Sequence, residues 1–86
     1  MHTVDLLEQA CEIAGQLGYH TRQEWLGGSG GGACEFAGRK WIFVDLALSV
    51  FEQLEQVTEA LRRDPGIYLL DLSPPMRQVL GIRNAA

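Results

Sequence analysis

Seven residues govern what this chain can become. Lys40-Trp41-Ile42-Phe43-Val44-Asp45-Leu46 carries large apolar side chains at odd and even positions alike. Successive side chains of a strand point to opposite faces. Trp41 and Phe43 therefore share one face, Ile42 and Val44 the other, and both faces need shelter. The run predicts a strand over 40–46 in the middle of a sheet, under helices on one side. The other side must meet a partner or another part of the chain. An 86-residue chain has little material for this, because a domain so short buries only roughly 60–65% of its unfolded surface.

The flanking segments say what surrounds that strand. Tyr19, Thr21, Gln23 and Trp25 alternate with His20, Arg22, Glu24 and Leu26, which predicts a half-buried strand over 19–26. Five glycines and Ser29 fill 27–32 and break it. A short strand follows over 33–36. Ala37-Gly38-Arg39-Lys40 then reads as a tight type II′ turn with Gly38 at the first central position. In a hairpin around Gly38-Arg39, Phe36 faces Trp41 and Cys34 faces Phe43, so these four share a face. Ala33 and Glu35 lie beside Ile42 and Val44, and Trp25 can join either face.

Helices are marked by period and caps. Val4, Leu7, Ala10, Cys11, Ala14 and Leu17 form one apolar stripe, giving a helix over 4–17 that Thr3 caps and Gly18 stops. Ser49-Val50-Phe51-Glu52 is a capping box. The stripe Val50, Leu54, Val57, Leu61 carries that helix over 50–63, with glutamines, glutamates and arginines outside. Asp64-Pro65-Gly66 ends it. Residues 67–72 are apolar and read as a strand or an extended buried segment. Ser73 caps a last helix over 75–82, with Pro74 at its first position and Met76, Val79 and Leu80 inward. The expected fold is one α+β domain over 1–86, with a three-stranded, mostly antiparallel sheet and three helices.

Charge narrows the function. Seven Lys and Arg against eleven Asp and Glu leave −4. Nucleic-acid binding draws most of its affinity from cations on phosphates, and anionic membranes select basic surfaces, so neither is an expected partner. No apolar run approaches the ~20 residues of a membrane helix. The first residues lack the cationic start and apolar core of a signal peptide, and cytoplasmic location is the expectation.

Several residues could carry chemistry, each with a plainer reading. Cys11 and Cys34 suit a reducing compartment as two small buried side chains. The loop 27–32 offers backbone N–H groups that could close on a ligand, with Gly28, Ser29, Gly30, Cys34 and Asp45 as candidate binding residues. It lacks the Lys-Ser/Thr of a P-loop and the following helix of a dinucleotide fingerprint, so a flexible hairpin connection is the favoured reading. Asp45, at a strand end, either bonds loop amides or acts on a ligand. Cys34 with His20, on strands taken as neighbours, is a conceivable thiol pair. Cys11, Cys34, His20 and Asp45 have no metal-site spacing, and no metal or cofactor is expected. Trp25, Phe36, Trp41 and Phe43 are candidate interface residues if one sheet face stays uncovered. The terminal segment 67–82 is the competing cover for that face.

Trp41-Ile-Phe-Val-Asp45 followed by the helix from Ser49 to Arg62 resembles the core of ImmA/IrrE-type metallopeptidases, where such a strand precedes a helix bearing H-E-x-x-H. Thr58-Glu59-Ala60-Leu61-Arg62 takes that place here. Glu59 matches the catalytic glutamate, while Thr58 and Arg62 replace both zinc-binding histidines. The resemblance implies a scaffold without zinc and without hydrolysis. The chain is also similar to small bacterial domains with a Gly-rich hairpin before such a strand. The leading expectation is a small non-enzymatic domain acting by protein contact, with itself or another chain. A small-molecule or peptide binder using the loop 27–32 is the alternative, and a thiol enzyme based on Cys34 a third.

Overall fold

Strand β3 (Arg39–Asp45) lies at the centre of a three-stranded sheet of order β1-β3-β2, between β1 (Tyr19–Glu24) and β2 (Gly32–Phe36). The computed structural model describes residues 2–82, so Met1 and residues 83–86 of the expected 1–86 domain lie outside the described residues. Around the sheet stand α1 (Thr3–Gln16), α2 (Val50–Arg62), a 3-10 turn (Pro65–Leu69) and α3 (Pro74–Leu80). This is the α+β fold that the alternation of periods predicts.

The sheet is mixed, which corrects the mostly antiparallel expectation. β2 pairs antiparallel to β3, but β1 pairs parallel to it, from Tyr19↔Lys40 to Glu24↔Asp45. Consecutive strands β1 and β2 are therefore not neighbours. Their connection crosses over the end of β3, and this detour is what requires so many glycines. Gly27, Gly28, Gly31 and Gly32 all take positive φ, from 79° to 104°, a region in which L side chains are strained. At Gly31 a Cβ would lie 2.6 Å from Gln56 Nε2 and 2.7 Å from the Phe43 carbonyl oxygen.

The hairpin turn is also displaced by one residue. Its central residues are Ala37 and Gly38, with φ of 54° and 77°. Positive φ at both positions is the type I′ pattern, whose twist matches that of the strands. Phe36 therefore pairs with Arg39 and Cys34 with Trp41, two positions away from the expected register. A shift of two keeps every side chain on its face. The expected grouping of Cys34, Phe36, Trp41 and Phe43 survives although the partners change.

Helices α1 and α2 pack on each other and on one sheet face. Ile42 and Val44 are fully buried there among Leu7, Ala10, Leu54, Val57 and Leu61. The capping box closes as the sequence predicts. Glu52 N donates to Ser49 Oγ at 3.2 Å, and Ser49 N donates to Glu52 Oε1 at 3.1 Å. At α1 the expected cap is corrected: Thr3 is already helical, and His2 precedes it without a side-chain cap. Segment 67–72 is no strand. Asp64 accepts from Gly66 N at 2.9 Å, and this with Pro65 turns the chain into the 3-10 turn, with Ile67 buried against α2. In α3, Met76 and Leu80 are buried.

The terminal segment does not cover the aromatic face. The 3-10 turn packs on α2, and α3 packs on α1 and α2. Both lie on the helix side, leaving a two-layer arrangement.

Candidate functional site

Two constellations stand out, one at the C-terminal end of β3 and one on the helix-free face of the sheet. The first is the strap made by residues 25–31. Asp45 ends β3 directly beneath it, with its side chain fully buried. Leu26 N donates to Asp45 Oδ1 at 3.0 Å, Gly28 N to Oδ2 at 2.7 Å, and Ala47 N to Oδ1 at 2.9 Å. Gln56 of α2 completes the clasp. Its Oε1 accepts from Asp45 N at 2.9 Å and its Nε2 donates to the Gly30 carbonyl at 2.9 Å. Both oxygens of the Asp45 carboxylate are thus spent on the chain's own amides. Among the candidate ligand-binding residues, Asp45 takes the structural role. Gly28 and Gly30 are its clasped loop, and Ser29 is exposed at the loop tip.

Burial is the largest single influence on Asp45 and pushes its pKa up. The amides of Ala47, Leu26, Gly28 and Gly30 together outweigh it and hold the carboxyl below its ordinary range. A second acid behaves alike at the other end of the sheet. The Gly66 amide is the strongest influence on Asp64, and Lys40 Nζ at 3.2 Å also favours its anion, holding it low against the cost of burial. Lys40 Nζ sits 4.4 Å from the centre of the Tyr19 ring. Burial first, and then a hydrogen bond to Asp64, raise the Tyr19 pKa.

The two low carboxyl pKa values fix the sign of the acid response. The unfolded chain, with carboxyls near 3.9, binds protons more readily than the folded one. The stability the two acids contribute is complete above that value and is lost as pH falls through the folded pKa values below it. Urea midpoints should therefore hold from about pH 7 to about pH 5 and fall steadily below about pH 4. A profile that is flat down to about pH 2.5 would contradict this.

The second constellation is a row of rings. His20, Trp41 and Phe43 lie on the helix-free face. The first two ring centroids are 5.0 Å apart, the second pair 5.8 Å apart and stacked. Phe36, 71% exposed, and the exposed Cys34 lie on the same face along β2. Arg22 pairs with Glu24 beside them. Trp25, the remaining interface candidate, does not join the row. It follows the end of β1 and is 75% exposed.

Other expectations are corrected here. Cys34 is exposed rather than buried, and Cys11 is half-buried at the edge of the core. Burial, then the Glu8 carboxylate, raise the Cys11 pKa. His20 and Cys34 are not on neighbouring strands. Both flank Trp41, with β3 between them, a separation of roughly 10 Å for two strand spacings. The structure therefore does not assemble the thiol pair. Among the described residues, no group of three or more His, Cys, Asp or Glu could hold a metal. No described helix is long and apolar enough to cross a membrane. Of the positions laid on H-E-x-x-H, Thr58 is buried and donates to the Leu54 carbonyl at 3.0 Å. Glu59 accepts from Arg63, and Arg62 binds the carbonyls of Val79 and Leu80.

Gln56 escaped the sequence reading, which set it on the solvated side of α2. The available signal was its place, one turn after the capping box and in the helix that directly follows Asp45. One further hollow, of about 350 Å³, opens between β2 and α2, lined by Gly31, Gly32, Ala33, Gln56, Glu59 and Arg63 among others. No family model, curated protein or solved structure matches the chain.

Proposed function

We propose that the protein acts by contact with a protein chain through the helix-free face of its sheet, and not by catalysis. The observation that carries this is the row His20–Trp41–Phe43, widened by Phe36, on the face turned away from the helices. Large aromatic side chains gathered on exposed surface are the usual mark of an interaction site. A row of rings also suits stacked nucleobases, but single-strand binders combine it with a cationic groove. Here Arg22 is tied to Glu24 and the chain carries −4. The strap offers less to a ligand, because its amides at Leu26 and Gly28 already serve Asp45.

Position-specific photo-crosslinking in cells tests the reading. A photoreactive residue at His20 or Phe36 should give adducts with a protein, this one included, whose joined peptide is identified by mass spectrometry. The same residue at Glu12, exposed on α1, should give none. Absence of adducts at both sheet positions, or equal adducts at all three, overturns it.

A further inference from the structure

We infer that the chain also pairs with a second copy of itself, joined edge to edge along β2 in an antiparallel register centred on Cys34. This contact runs along the sheet edge and leaves the face proposed above open, so the two contacts are tested separately.

Among the described residues, β2 is an unpaired edge of the sheet. Natural edges are usually blunted by lysine, proline or a bulge. Gly32-Ala33-Cys34-Glu35-Phe36 has neither lysine nor proline and a single charge, Glu35, and its pairing with β3 is unbroken from Gly32↔Phe43 to Phe36↔Arg39. The other edge, β1, carries Arg22 and Glu24.

The hairpin determines which backbone groups are free. In a two-residue hairpin the residues flanking the turn exchange both hydrogen bonds, and bonded and non-bonded pairs alternate from there. Phe36, Cys34 and Gly32 thus bond inward to β3, while Ala33 and Glu35 turn their N–H and C=O outward. A second β2 can use those groups in three registers. One sets Glu35 against Glu35, which like charge disfavours. One sets Ala33 against Ala33 and leaves Phe36 beyond the paired strand. The register centred on Cys34 pairs all five residues and sets Ala33 against Glu35 of the second copy, twice.

The side chains fit the same register. Phe36 of one copy falls opposite Gly32 of the other. Gly32 leaves an empty place beside Phe43, and an aromatic ring laid across a strand glycine is a known stabilising arrangement. The two rows of rings would then run as one surface across six strands. On the helix side, Glu35 of the second copy falls near the hollow beside Ala33, whose wall carries the ion pair of Arg63 and Glu59.

The register also sets Cys34 opposite Cys34 in a non-hydrogen-bonded pair, with Cα atoms about 4.5 Å apart. This supplies a direct readout. Sedimentation equilibrium from about 1 μM to about 500 μM should give a two-chain mass at the upper end, since an interface this narrow belongs to the weak class. In a Cys11→Ser background, a short bismaleimide should join the two Cys34 thiols. Glu35→Pro removes an outward N–H that the chain's own hairpin does not use, a place where proline is tolerated. It should weaken association at least about tenfold, because two of the four new bonds are lost. Ala33→Glu and Ala33→Lys give opposite signs, the first weakening and the second tightening the pair, with the difference shrinking in high salt.

A single-chain mass across the whole range overturns the inference. So does a dimer indifferent to Glu35→Pro and to both charges at position 33. If the chain stays single while His20 and Phe36 crosslink to a different protein, the contact reading stands and the second copy is excluded. If neither occurs, both fall.

Discussion

Asp45→Asn should lower the midpoint of thermal unfolding by on the order of 10 °C, judged from the usual cost of buried donors left unsatisfied in a domain this small. The substitution is nearly isosteric, so the loss is electrostatic and local. The carboxylate accepts from Leu26, Gly28 and Ala47 at 2.7 to 3.0 Å. An asparagine keeps one acceptor and turns an N–H₂ toward a backbone N–H. Whichever way it faces, at least one amide donor meets another donor. The strap has little else to hold it, since glycines bring no side chains to pack. Its second tie is Gln56 to the Gly30 carbonyl, which itself depends on Asp45 N holding Gln56 Oε1. Amide exchange at Leu26 and Gly28 should therefore quicken more than exchange in α1. The acid-induced fall in stability should shrink as well, leaving Asp64 as its main source. Unchanged loop exchange in Asp45→Asn would mean that Asp45 is not the clasp.

The second large effect separates the two faces of β3. Ile42→Ala should cost about 3–4 kcal/mol, the usual range for emptying a closed aliphatic site. Ile42 is fully buried under the helices, where surrounding side chains cannot collapse freely. Its neighbour Trp41 is larger, yet Trp41→Ser should cost only about 1 kcal/mol. That ring is half exposed and mainly loses contact with His20 and Phe43. Total stability for a domain of this size is roughly 5–10 kcal/mol, so the first change should remove much of the urea midpoint and the second little. Comparable losses would mean that both faces are closed within one chain, which removes the ground for a partner.

Much of the architecture was legible because it is set by neighbours in the chain. Ser49 and Glu52 lie three residues apart, and that alone builds the capping box. The 3.6-residue stripes of α1 and α2 need no knowledge of the rest of the fold. The two faces of β3 were legible for the same reason, since alternation is a property of a single strand. It also survived the displaced turn, because a register shift of two residues preserves parity.

The site was less legible. Reading β1 and β2 as neighbours led to a His20–Cys34 pair that β3 keeps apart. A seven-residue connection can join adjacent strands or step over one, and glycines give no pattern to tell which. Asp45 stands out by its position at a strand end, but the sequence leaves its partner open between loop amides and a ligand. Gln56 looked like ordinary helix surface.

What the sequence alone determined is therefore local: the helices and their caps, the strands and the sorting of side chains between faces, all fixed by residues within a few positions of one another. What tertiary structure decided is strand order, the parallel pairing of β1, the side that helices cover, and the burial of Asp45 under the strap. These depend on where the chain travels between elements, and the glycine backbone that carries it across β3 records that path only in its φ angles.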